Sequence, residues 1–295
     1  MTDTTNIWGR ERRDLSEERA RLERAREFYY GPISLAANAY LPSAVMGFKD
    51  EAFPGGPYKL SMRLREPVPM EIREDLLLLV GRLRALLDNL MSKLWKETGR
   101  SGRAKNYPIF ASPSDLDRKL NSSGFPDWYR PLTEPFQDFD TRRTSPHTGE
   151  AAPWSWLHVL SRLRNETGHD HIDIACMAVI HASGFAGLPV YPGQTQVIQN
   201  STGNDGRGWV QTVGAGPYRF TMAPSRLARG YMIETPGREV PIVASASPGV
   251  EFRFDLGLAF TAPDDIFGHD VDMFARGICD QIGSIIDRAA VLELS

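Results

Sequence analysis

Glu71–Gly99 reads EIREDLLLLVGRLRALLDNLMSKLWKETG, and its spacing decides how the N-terminal half folds. Apolar residues recur every three or four positions, at Ile72, Leu76, Leu79, Leu83, Leu86, Leu90 and Leu94. That period matches an α-helical turn and places these side chains on one stripe. Pro67 and Pro69 precede the run, and Gly99 follows Trp95 and Lys96 as a natural C-cap.

Upstream, LSEERARLERAREFYYGPISLAANAY predicts a second helix from Leu15 to about Asn38. Glu17 and Glu18 suit the dipole of its first turn. Glu17 with Arg21, and Glu23 with Arg26, have helical ion-pair spacing, and the charged face reads as solvated. Between the two helices, PGGPYKLSMRLREPVP opens on a Gly-Gly turn. It then alternates through Tyr58, Leu60, Met62 and Leu64, as a half-buried strand does.

Downstream, the segment from about 100 to 153 is an irregular insertion rich in Pro, Ser, Asp and aromatic residues. Short helices are expected around Asp115–Leu120 and Trp128–Pro131, and TRRTSPHTGEAAP reads as an exposed loop. Pro153 suits the first turn of a further helix. From Ile174 to Phe260 the period shortens. YRFTMA, GYMIET, VPIVASA and VEFRFDLGLAF are separated by turn-rich stretches such as NSTGNDGRGW and TPGREV, which predicts an antiparallel sheet. Val271, Phe274, Ile278, Ile282, Ile285 and Ile286 return to helical spacing. The expected class is α+β. A helical domain over 1–173 carries the insertion at about 100–153, and an antiparallel β domain closed by a helix occupies 174–295.

With 295 residues, of which 41% are hydrophobic and 24% charged, the chain is long and apolar enough for a substantial core. A net charge of -3 excludes a globally basic nucleic-acid binder and leaves room for a local basic patch. Two cysteines, Cys176 and Cys279, are too few for a disulfide framework or a cysteine-based zinc site, and they read as buried hydrophobes in a reducing compartment. The first residues lack the apolar core of a signal peptide, and no stretch has the roughly 18 apolar residues of a membrane span. The expected location is cytoplasmic, without membrane contact.

The chemistry concentrates in PWSWLHVLSRLRNETGHDHID, residues 153–173. Trp156, Val159, Leu160 and Leu163 supply an apolar face, and Arg164, Asn165 and His169 follow near the helix end. One explanation is structural, since Asn and His side chains can satisfy the last helix carbonyls and a protonated His suits the dipole there. Another is catalytic. Histidine titrates near neutrality, so it can take a proton from a ribose 2′-hydroxyl or give one to a leaving oxygen. A neighbouring arginine can bridge two phosphate oxygens.

The six residues Arg164-Asn165-Glu166-Thr167-Gly168-His169 resemble the Arg-polar-x-x-x-His motif of HEPN-domain ribonucleases, small helical domains frequent in prokaryotic defence and toxin systems. The resemblance implies a metal-independent, cofactor-free endoribonuclease that works on RNA as a homodimer, with two motifs facing across the interface. Carried over, His169 is the general acid/base, Arg164 the phosphate contact and Asn165 an orienting residue. More broadly, EPVPMEIREDLLLLVGRLRALLDNLMSKLW, YPIFASPSDLDRKL and LHVLSRLRNETGHDHI, in that order, resemble an uncharacterised bacterial protein family with a helix ending Asn-x-x-Lys-His. Gly168 stands at the lysine position here, so any role of that charge is absent.

Other signals in the sequence each admit a plainer explanation. HDHID offers His169, Asp170, His171 and Asp173 as metal ligands, with His158 or His181 as further donors, but His-x-His converges only in extended backbone. Gly203–Gly208 reads as a hairpin turn and not a phosphate loop, because it lacks the lysine and hydroxyl. Cys176 lies in an apolar run, and Ser183 fits no nucleophile elbow. Tyr129-Arg130 and Tyr218-Arg219 could contact nucleic acid or simply face a sheet surface. The competing functional class is a binding or scaffold protein that uses the β domain for recognition.

Overall fold

A computed structural model describes residues 13–99, 106–110, 112–122, 125–137, 142–144, 151–153, 156–166, 172–183, 193, 195–198, 218–227, 230–248 and 250–294. The helices are α1 (Ser16–Phe28), α2 (Ser34–Ala44), α3 (Met70–Glu97), α4 (Pro113–Ser122), α5 (Tyr129–Thr133), α6 (Trp156–Glu166) and α7 (Val271–Val291). The strands are β1 (Val45–Glu51), β2 (Tyr58–Leu64), β3 (Arg142–Thr144), β4 (Ala151–Pro153), β5 (Ile174–Ser183), β6 (Thr195–Ile198), β7 (Tyr218–Met222), β8 (Gly230–Ile233), β9 (Glu239–Ala246) and β10 (Glu251–Phe260). The class is α+β, with helices concentrated in the N-terminal half and strands followed by a helix in the C-terminal half.

The apolar stripe of α3 is buried as its spacing requires, from Ile72 through Leu76, Leu79, Leu83, Leu86, Leu90 and Leu94. Gly99, at a φ of 66°, ends the helix in the left-handed conformation that glycine adopts without a Cβ penalty. Around this stripe pack α1, α6 and α7. Between α1 and α2 the turn at Tyr29–Ile33 widens to π geometry. Pro32 lies there and has no N–H to give the preceding turn.

The face of α1 expected to be purely solvated is a seam. Glu17–Arg21 and Glu23–Arg26 form as spaced, yet Arg26 also reaches Asp280 of α7 at 2.9 Å and Arg19 reaches Asp287 at 2.8 Å. Glu18 is buried and faces Lys93 of α3 at 3.2 Å. The ER-rich composition reads as solvated because charge spacing carries no information about which helix lies opposite.

The strands form a five-stranded antiparallel sheet in the order β1-β2-β9-β7-β6 and a three-stranded one in the order β10-β5-β8. Phe220 of β7 meets Phe252 of β10 edge-on at 5.3 Å, joining the two sheets, and Phe260 meets Phe274 of α7 at 5.5 Å. β2 has Tyr58, Met62 and Leu64 buried and is flanked on both sides, by β1 and by β9. The expected boundary at 173/174 is therefore crossed by a strand ladder. One cluster of buried side chains also spans it, from Leu15 to Ala290.

β1 had no counterpart in the expected elements. Within the stretch expected as an exposed loop, Arg142–Thr144 pairs with Ala151–Pro153 as a two-stranded ladder. Pro153 accordingly sits in β4, and α6 starts at Trp156. Among the described residues no helix is long and apolar enough to cross a membrane.

Two positions set α6 and α7. A Cβ on Gly277 would lie 2.2 Å from Cε2 of Trp156, so only glycine admits the α6 indole this close. Asp270 caps α7, its carboxylate accepting the Met273 N–H at 2.8 Å, and burial raises its pKa. Gly277→Ala should lower the urea midpoint, although alanine is roughly 1 kcal/mol the better helix former. Ser284→Ala on the exposed face should not lower it.

Asp270→Ala should cost about 1 kcal/mol through the lost cap. Asp270→Asn keeps the acceptor without the charge. A raised folded-state pKa means that protonation favours the folded chain, so the charge on Asp270, though not its capping contact, costs stability at neutral pH. The Asn variant should then be at least as stable as the native chain near pH 7. The native chain should gain on it as pH falls toward the ordinary carboxylate range, measured by denaturation across pH.

Candidate functional site

α6 is held from two sides. Its Trp156 ring packs over Gly277 and 6.3 Å from the ring of Phe274. Its His158 and Arg162 both meet Asp265, at 3.1 and 2.9 Å. Leu157, Val159, Leu160 and Leu163 are buried, which turns the last turn of the helix, with Arg164 and Asn165 exposed, toward α3 and the segment 106–110.

Those three elements enclose a cleft of about 570 Å³ lined by Arg84, Asp88, Asn106, Ile109, Ser161, Arg164 and Asn165. Arg164 and Asn165, singled out by the motif, thus share one cavity, and Asn165 Nδ2 donates to Ser161 Oγ at 3.4 Å. His169 lies outside the described residues, as do Asp170 and His171.

The opposite wall depends on side chains that substitute for a strand partner. The backbone of Asn106–Phe110 is extended between helices, and its polar groups must be satisfied where it is buried. Asp88 accepts the Tyr107 N–H at 3.0 Å and Arg84 donates to the Tyr107 carbonyl at 2.8 Å. Arg84 and Asp88 face each other at 3.1 Å, one helical turn apart. Gln137 repeats the arrangement farther along, accepting from the Phe110 N–H and donating to the Pro108 carbonyl, each at 2.9 Å. The Tyr107 ring is fully buried beneath, which fixes Asn106 at the cleft edge.

Among the described residues the lining holds two guanidiniums, one carboxylate, two carboxamides and a hydroxyl, with Ile109 its single apolar member. Such a lining suits an anionic, hydrogen-bonding ligand and gives an apolar one little to bury against. Nothing in the sequence alone distinguishes Arg84 and Asp88. An Arg and an Asp four apart on a helix look like any surface pair.

The other sequence signals resolve differently. Tyr129 is buried against Phe125 and Trp128, and Arg130 is engaged by Asp117 and Glu134, so this pair offers no stacking surface to nucleic acid. Cys176 is fully buried with its thiol pushed up to about 11 by burial, as a core residue would be. His158 is engaged by Asp265, and Asp173 lies 3.5 Å from Arg73. Among the described residues no three His, Cys, Asp or Glu side chains converge as metal ligands. Gly203–Gly208 lies outside the described residues.

No protein-family model matches this chain, and neither the curated proteins nor the solved structures include a significant match.

The clamp on Tyr107 has a measurable consequence. Asp88→Ala strands a buried N–H and releases one edge of Arg84, so it should cost about 1–3 kcal/mol. It should also speed proteolysis between residues 100 and 111. Asp88→Asn keeps the acceptor and should lose much less in the same denaturation experiment.

Proposed function

We propose that this chain is a metal-independent endoribonuclease of the HEPN type, acting as a homodimer in a defence or stress system. One observation supports the reading: Arg164 and Asn165, neighbours in the motif, both line a single polar cleft. In this reading the ribose 2′-oxygen attacks the adjacent phosphorus and the P–O5′ bond breaks. His169 takes the 2′-hydroxyl proton or supplies the proton of the leaving 5′-hydroxyl, and the partner chain's copy of the motif supports the complementary transfer. Arg164 stabilises charge on the phosphate oxygens and Asn165 orients the imidazole or the phosphate. The products carry a 2′,3′-cyclic phosphate and a 5′-hydroxyl.

A recognition role for the strand-rich half has its own observation. A groove of about 370 Å³ lies along β8 and β9, with Arg226, Arg238, Glu234 and Glu239 beside Met232 and Val240. It brings charges of both signs beside apolar contacts, which fits a polar partner surface and offers no acid/base pair for RNA cleavage.

The test is incubation of purified protein with labelled total tRNA and a generic single-stranded RNA in EDTA. The wild type is run beside His169→Ala and Arg164→Ala from the same preparation. Cleavage should survive EDTA and fall by about 10²–10⁴-fold in His169→Ala. Absence of cleavage, or cleavage unchanged in both variants, would reject the nuclease reading and favour the groove.

A further inference from the structure

His158, Arg162 and Asn165 follow one another on α6 at spacings of four and three residues, which places them along one face of the helix. Asn165 ends that face at the cleft. The other two meet a single carboxylate. His158 Nε2 lies 3.1 Å from Asp265 Oδ2, and Arg162 Nε reaches both oxygens, at 3.2 Å to Oδ1 and 2.9 Å to Oδ2. One side chain thus grips two successive turns of the helix, along the face that leads to the motif.

A grip sets position only when its own base is fixed. Asp265 sits in the 3₁₀ turn Asp264–Ile266, where the Ile266 side chain is buried and its N–H donates to the Pro263 carbonyl at 3.0 Å. The turn is closed onto the end of β10. Gly268 N–H donates to the Phe260 carbonyl at 2.8 Å, and Phe260 N–H to the His269 carbonyl at 3.0 Å. Apolar burial holds α6 against the core but is non-directional, whereas a charge-assisted contact resists rotation and sliding of the helix. The Arg162 and Asp265 side chains are 36% and 42% exposed, so water screens the pair and it adds little to overall stability. What it supplies is geometry.

We infer that Asp265 is a positioning residue, setting the rotation and axial place of α6 and so the place of Arg164 and Asn165 in the cleft. The inference rests on the reading of that cleft as a ribonuclease site, and it gives the acidic turn a part in the reaction through His158 and Arg162.

The experiment uses the full chain, with two readouts on the same preparations. Amide hydrogen exchange across α6, followed by mass spectrometry, reports how firmly the helix is held. Cleavage of a generic single-stranded RNA in EDTA gives kcat and KM. In Asp265→Ala the α6 amides should exchange about fivefold faster, as loss of a partly exposed ion pair allows. Misplacing reacting groups by about 1 Å costs about a hundredfold, so kcat should fall by about 10–100-fold. KM should move far less, because the loss falls on the transition state. Asp265→Asn keeps one oxygen for Arg162 and should recover part of both. Adding Asp265→Ala to Arg162→Ala should cost less than the product of the two single effects, since both remove one contact. Asp287→Ala breaks the exposed pair with Arg19 between α1 and α7 and should change neither readout.

Unchanged α6 exchange in Asp265→Ala would overturn the inference, as would faster exchange with an unchanged kcat. A kcat loss equalled by Asp287→Ala would do the same, since it would follow stability and not position. If Asp265→Ala does not fold, Asp265→Asn decides on the same two readouts. The two proposals fail separately. A wild type that cleaves nothing removes the nuclease reading, and α6 exchange then decides alone whether Asp265 holds the helix. Cleavage that His169→Ala abolishes and Asp265→Ala leaves intact keeps the nuclease and removes the positioning role.

Discussion

Burial of the α3 stripe organises the rest of the molecule. Leu76, Leu79, Leu83 and Leu90 are fully buried, each contributing on the order of 1.5–3 kcal/mol by leaving water. A helix with that much apolar surface must be covered along its length, and α1, α6 and α7 do so from different directions. Because α3 is held on its apolar side, its polar flank has a fixed azimuth. Arg84 and Asp88 lie on that flank one turn apart, so the packing of leucines sets where a guanidinium and a carboxylate face the segment at Tyr107.

The charged groups follow a consistent division. Exposed pairs such as Arg21–Glu17 are screened by water and contribute tenths of a kcal/mol. The pairs that matter to architecture are partly or fully shielded. Glu18 would be an uncompensated buried carboxylate without Lys93, which also donates to the Asp14 carbonyl at 2.8 Å. Arg84 with Asp88 is the same device applied to a backbone. Each makes a charge-assisted hydrogen bond to Tyr107, about twice as strong as a neutral one, and together they replace a missing strand neighbour.

Periodicity made the regular elements legible. The α3 stripe, the alternation of Tyr58, Met62 and Leu64, and the Val271–Ile286 spacing each describe one face in contact with a core, and all three fold so. β1 escaped because Val45–Glu51 is an edge strand with Lys49, Asp50 and Glu51 exposed, so it carries no alternation to detect. Arg164 and Asn165 stand out through motif spacing. Arg84, Asp88 and Asn106 belong to the same cleft by tertiary contact alone. Their significance comes from a partner about 20 residues away in extended backbone, and no local pattern encodes that distance.

The pairing of Tyr58–Leu64 with Glu239–Ala246 has a consequence for biosynthesis. β2 leaves the ribosome long before the strand that completes its sheet. Until β9 emerges, one row of its N–H and C=O groups stays open, beside a half-formed apolar face at Met62 and Leu64. Pairings this distant in sequence carry a large loop-closure cost and slow the approach to the native topology. The nascent chain therefore passes through an interval in which an unsatisfied sheet edge is available to other chains.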